Sequence, residues 1–166
     1  MKDRIFLDTN ILVYLSDTGA EFHATVKEMF KDIAEKYEIW ISRQILREYA
    51  VVVSRKEDVE KPLKPQEVIN DIAKWEISFK VIDETQGITE NLKSLILKYN
   101  LKGNRIHDAN IVASMMEYSI PLLFTFNARD FQVFEEIQLF EIQQQEDTQL
   151  DPNDIISDDE IQLEPK

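Results

Sequence analysis

Four carboxylates occupy positions where a folded chain seldom leaves one unpartnered. Asp8 directly follows the apolar run Ile5-Phe6-Leu7, and Glu48 borders the stripe of Ile45, Leu46, Tyr49 and Val52. Asp108 falls on a helical stripe: at about 100° per residue, Ile111, Val112 and Met115 share its face, whereas Asn110, Ser114 and Glu117 lie opposite. Asp130 lies a few residues beyond Leu122-Leu123-Phe124. Removing a carboxylate's charge from water is costly, so an acid on a core-facing stripe is rare unless it is paired or binds a metal. Each acid alone has an ordinary explanation: Asp108 as a first-turn acid, Asp8 and Asp130 as cap or turn residues, Glu48 as an exposed helical glutamate. Together, with no matching lysines in the same segments, they would repel one another and titrate high unless a cation held them. Oxygen ligands alone favour Mg2+ or Mn2+ over zinc. A metal held in this way can activate a water and stabilise charge on a phosphodiester during in-line attack.

The elements around these acids must position them. Arg4-Ile5-Phe6-Leu7 reads as a strand buried on both faces of a parallel sheet. Phe22, Val26, Met29, Phe30 and Ile33 recur at helical spacing, Glu38-Ile39-Trp40-Ile41 gives a second strand, and Ser42 is a favoured N-cap for the next helix. Pro62 and Pro65 bracket a loop before the helix of Val68, Ile72 and Trp75, which Phe79-Lys80-Val81-Ile82 follows as a third strand. Ile88, Leu92, Leu95, Ile96 and Tyr99 mark a helix that Gly103 would cap. A further helix runs from about 105 to 118, and residues 121–126 and 138–142 supply the last two strands. This alternation predicts an α/β domain with a mostly parallel sheet. Asp8 and Asp130 would then lie beyond carboxyl ends of strands, where open α/β sheets place their sites.

Composition narrows the chemistry. A chain of 166 residues suits one domain with a sizeable core. The absence of cysteine excludes a disulfide framework, a zinc knuckle and a cysteine nucleophile, and points to the cytoplasm. No apolar run approaches the roughly 18 residues that span a bilayer, and the opening residues read as a strand rather than a signal peptide, so no membrane partner is expected. Three glycines form neither GxGxxG nor GxxxxGK[ST]. The net charge of -13 is uneven: residues 141–166 hold nine acids and one lysine, leaving the rest at -5. We read residues 1–142 as the domain and 143–166 as an acidic extension.

Four segments carry a resemblance. Ile5-Phe6-Leu7-Asp8-Thr9-Asn10-Ile11-Leu12, Ser42-Arg43-Gln44-Ile45-Leu46-Arg47-Glu48, His107-Asp108-Ala109-Asn110-Ile111-Val112-Ala113 and Leu123-Phe124-Thr125-Phe126-Asn127-Ala128-Arg129-Asp130-Phe131 resemble, in order, the conserved blocks of PIN-domain nucleases. VapC-type toxins are the nearest kind, and the likeness runs from residue 3 to about 142. It implies a three-layer α/β/α fold around a five-stranded parallel sheet. It also implies a Mg2+- or Mn2+-dependent ribonuclease, often neutralised by an antitoxin protein and often a homodimer. Asp8, Glu48, Asp108 and Asp130 match the acidic quartet, with Asp8 and Asp108 as direct metal ligands, Glu48 next, and Asp130 acting through water. Thr9, Asn10, Thr125 and Asn127 match polar positions that orient the carboxylates or the scissile phosphate. Arg43, Arg47, Arg105 and Arg129 lie near the acidic blocks, where they could hold flanking phosphates of an RNA substrate. His107 points about 100° away from Asp108 on the helix and reads as a surface residue. The acidic extension departs from the family pattern. Two other readings remain: a PIN scaffold that binds RNA without cutting it, and a receiver-like signalling module. The receiver would need an acid pair after its first strand, whereas Thr9 follows Asp8.

Overall fold

Strand β1 (Asp3–Leu7) lies at the centre of a sheet, with Ile5, Phe6 and Leu7 fully buried. The computed structural model describes residues 2–141. The expected acidic extension therefore lies outside the described residues. After β1 come α1 (Thr9–Ser16), α2 (His23–Lys36), β2 (Tyr37–Ser42), α3 (Arg43–Ser54), α4 (Pro65–Ser78) and β3 (Lys80–Ile82). The second half holds α5 (Gln86–Tyr99), α6 (Arg105–Glu117), β4 (Leu122–Phe124), the single turn α7 (Ala128–Phe131) and β5 (Gln138–Leu139).

All four strand pairings are parallel, in the order β3-β2-β1-β4-β5. Ile5 aligns with Ile39 on one side and Leu122 on the other, and Leu7 aligns with Phe124. The chain steps outward from β1 to β3, then returns to the other flank of β1 for β4 and β5. Right-handed crossovers in these two directions place the connecting helices on opposite faces. Packing agrees: α1 meets α2 and α3, α3 meets α4, and α5 meets α6. The result is the expected α/β/α layering, with the topological switch point at the crevice between β1 and β4, where such sheets bind ligands. A receiver fold has the strand order 2-1-3-4-5, so this topology removes the signalling-module reading.

Several local expectations change. Helix α1 was not expected: Thr9-Asn10-Ile11-Leu12-Val13 continues the apolar run of β1, yet Asp8 stops the strand and caps a helix. The single turn α7 holds Asp130, at a place where the sequence suggests only a cap or turn residue. Asn100, not Gly103, caps α5, in a left-handed conformation with φ 50°. Gly103 has φ +59° in the turn that follows. Strands β4 and β5 are shorter than the segments 121–126 and 138–142. Helix α6 is covered on two sides. Ser114, assigned to the polar face, is 1% exposed, and its hydroxyl donates to the Asn110 carbonyl at 2.8 Å. Among the described residues, no helix is long and apolar enough to cross a membrane.

Candidate active site

Asp8 leaves β1 at the switch point and is only 6% exposed. Its Oδ1 accepts from the Thr9 amide at 2.6 Å, capping α1. Its Oδ2 accepts from the Thr125 hydroxyl at 2.6 Å and the Asn10 side-chain amide at 3.1 Å. The Thr125 hydroxyl, directly after β4, also accepts from the Asn127 backbone amide at 2.9 Å, and the Asn10 side-chain oxygen Oδ1 accepts from the Phe126 backbone amide at 3.3 Å. The chain ends of two adjacent strands thus meet on one carboxylate. Burial raises the Asp8 pKa above the ordinary carboxylate value, the charge of Glu48 adds to the rise, and the three donors oppose it.

Helix α3, capped by the Ser42 hydroxyl on the Ile45 amide, presents Glu48 to the same place. One Glu48 oxygen accepts from the Thr9 hydroxyl at 2.9 Å, and the other from the Gln44 side-chain amide at 2.7 Å. Gln44 is 5% exposed. Its amide nitrogen also donates to the His107 carbonyl at 3.0 Å, while its oxygen accepts from the Asn110 side chain at 2.7 Å. Sequence reasoning passed over Gln44 as a functional residue, because a glutamine between an arginine and an isoleucine reads as ordinary helix surface.

The first turn of α6 brings Asp108, whose side chain is 26% exposed. Burial, then the charges of Asp130, Asp8 and Glu48, push its pKa up to about 6, against the pull of Arg105. The Arg105 guanidinium stands 3.9 Å from both Asp108 and Asp130, beyond hydrogen-bond reach. Asp130, in α7, has a side chain 49% exposed and does not line the cleft. His107 is exposed, as expected.

These groups border an open cleft of about 600 Å3 lined by Asp8, Thr9, Asn10, Glu48, Asp108 and Asn127 on its polar side. Tyr14, Val51, Ile111 and Phe131 are among its apolar walls. Asp58 and Tyr14 line it without having been singled out from sequence. Arg47 reaches the rim, whereas Arg43 turns away into ion pairs with Glu76 and Asp83. That removes Arg43 from the arginines expected to meet phosphate. Arg129 is exposed and makes no ion pair among the described residues. Among the described residues, no three acidic or histidine side chains stand close enough together to hold a metal ion. The donor set nevertheless fits a hard cation: Asp8, Glu48 and Asp108 line the cleft with oxygen atoms only, and two of them titrate high through burial and mutual repulsion.

The PIN domain profile matches residues 5–138. The chain belongs to the PIN family. Solved structures similar to this PIN domain include VapBC2 from Rickettsia felis bound to a DNA fragment from their promoter, at 20% identity and a TM-score of 0.61, covering 82% of this chain and 96% of that one. A toxin-antitoxin complex from Klebsiella pneumoniae is 23% identical, with a TM-score of 0.57 over 81% of this chain and 95% of that one. VapC20 from Mycobacterium tuberculosis, a sarcin-ricin loop cleaving toxin, is 20% identical with a TM-score of 0.61, covering 81% and 98%. No curated protein matches the PIN domain described here.

Proposed function

We propose that this PIN domain is a metal-dependent endoribonuclease of the cytoplasm and the toxin of a type II toxin-antitoxin pair. The observation that carries the reading is the convergence of Asp8, Glu48 and Asp108 on one cleft at the β1/β4 switch point. Asp8 and Asp108 would hold a Mg2+ or Mn2+ ion, with Glu48 beside them and Asp130 acting through water. When bound, such an ion supplies a water of lowered pKa and positive charge for the phosphodiester. Thr9 fixes Glu48 and Thr125 fixes Asp8 by donating to them, and Asn10 ties α1 to the segment after β4. Asn127, which lines the cleft, and the exposed Arg129 would meet RNA phosphates. An antitoxin partner is supported by the toxin-antitoxin complexes among the structural relatives, and a homodimer by the family resemblance. The unit that does this work is residues 1–142, with 143–166 as a separate acidic extension.

The test is cleavage of RNA by the full chain with Mn2+, with EDTA, and by Asp108→Asn with Mn2+. Cleavage should vanish in EDTA, return when Mn2+ is restored, and be lost in the variant. Undiminished turnover in EDTA or by Asp108→Asn would reject the reading.

A further inference from the structure

We infer that Gln44 is a positioning residue for the carboxylate pair formed by Glu48 and Asp108. This role rests on the metal-dependent reading above and on hydrogen-bond geometry. Both amide hydrogens of Gln44 are used, one on Glu48 at 2.7 Å and one on the His107 carbonyl at 3.0 Å, and its oxygen takes the Asn110 amide at 2.7 Å. Turning the amide over would set its nitrogen against the Asn110 donor and its oxygen against two acceptors, so one orientation is fixed. The residue is buried, and water is therefore a poor substitute for any of these partners. His107 directly precedes Asp108, so Gln44 clamps α3 to the turn that bears Asp108 while aiming Glu48 on its own helix. Thr9 restrains the other Glu48 oxygen. Removing Gln44 would leave that carboxylate pinned on one side only.

Outer groups that orient metal ligands typically change metal affinity by about 10–100-fold. The test is Mn2+ binding to the full chain by calorimetry, alongside thermal melting, for wild type, Gln44→Met and the double variant Gln44→Met/Asn110→Leu. The single variant should bind Mn2+ at least tenfold more weakly and melt lower. The double variant should regain part of the melting temperature, because the half-buried Asn110 amide is no longer left without its acceptor, yet its Mn2+ affinity should stay low because Glu48 is still unheld. Affinity unchanged in the single variant, or recovering together with melting temperature in the double, overturns the positioning role. Wild-type protein that binds no Mn2+ overturns the metal reading itself, and this role with it. Should the variants not fold, nuclear magnetic resonance of the unmutated chain decides: the Gln44 side-chain amide protons should exchange slowly without metal and shift as Mg2+ is titrated. Fast exchange or an unchanged spectrum overturns the inference.

Discussion

Asp8 and Asp108 are both aspartates with raised pKa values, but their surroundings give opposite responses to amidation. Asp8 accepts from three donors, so an asparagine there must turn its own NH2 toward one of them, and the relief of charge is offset by a lost acceptor. The sequence alone suggests that both Asp→Asn changes leave the fold intact or firmer. The structure confines the firmer outcome to Asp108, whose rise to about 6 comes from burial and neighbouring acids. A carboxyl whose folded pKa lies above its unfolded value contributes stability below the unfolded value, near 3.8, and that contribution is lost as pH rises through about 6. Without metal, Asp108→Asn should therefore melt higher than wild type at pH 7.5. We expect a gain of about 1–2 kcal/mol after allowing for solvent screening, with the gap closing below pH 4. Thermal melts at the two pH values check this, and equal midpoints at pH 7.5 would count against a repulsive site. Metal ligands must be deprotonated. Mn2+ affinity should accordingly fall as pH drops through about 6, and a flat calorimetric profile between pH 5 and 7.5 would exclude Asp108 as a ligand.

Among the elements, α5 offers a clean test of local conformation. Its cap, Asn100, sits at φ 50° and donates its backbone N–H to the carbonyls of Ile96 and Leu97. Asn100→Ala should cost about 1 kcal/mol, and Asn100→Gly should be neutral or slightly favourable. Chemical denaturation midpoints of the two variants compare them directly, and an alanine as stable as glycine would contradict the left-handed cap. The strand before Asp8 was legible because a run buried on both faces of a parallel sheet is continuously apolar, and the one ending at Ile41 because its half-buried Ile39 and Trp40 extend a similar run. The same property hid α1, since Ile11, Leu12 and Val13 are as apolar as β1 and are themselves buried. It also misled the wheel of α6, where α5 covers a face that a helix on an open layer would give to water. Asp8, Glu48 and Asp108, which line the cleft, were legible as candidates from their placement at a strand end and on stripes, whereas Asp130, picked out by the same reasoning, lies outside the cleft lining. Gln44 and Asn110 were not legible, because their meaning lies in a partner 66 residues away.

At the scale of the whole molecule, charge and topology matter most. The acids of residues 141–166 give this end of the chain a strong negative charge, and the proposed substrate is a polyanion. Truncation after Ile142 should lower the Michaelis constant for RNA at low ionic strength. The difference should shrink as salt screens over a Debye length of about 8 Å at physiological strength. Identical constants for both forms at low salt would show the extension to be electrostatically irrelevant. The switch point has a different implication, one that concerns how the protein is made. Asp8 is translated well before the hydroxyl that completes its hydrogen bonding, which belongs to Thr125, 117 residues later, just after the strand that pairs with β1. A nascent or prematurely terminated chain can therefore carry Asp8, Glu48 and Asp108 without having the cleft that unites them. Parallel pairing over so long a loop is slow to form. On the proposed reading, ribonuclease activity is withheld until nearly all of the domain has been made.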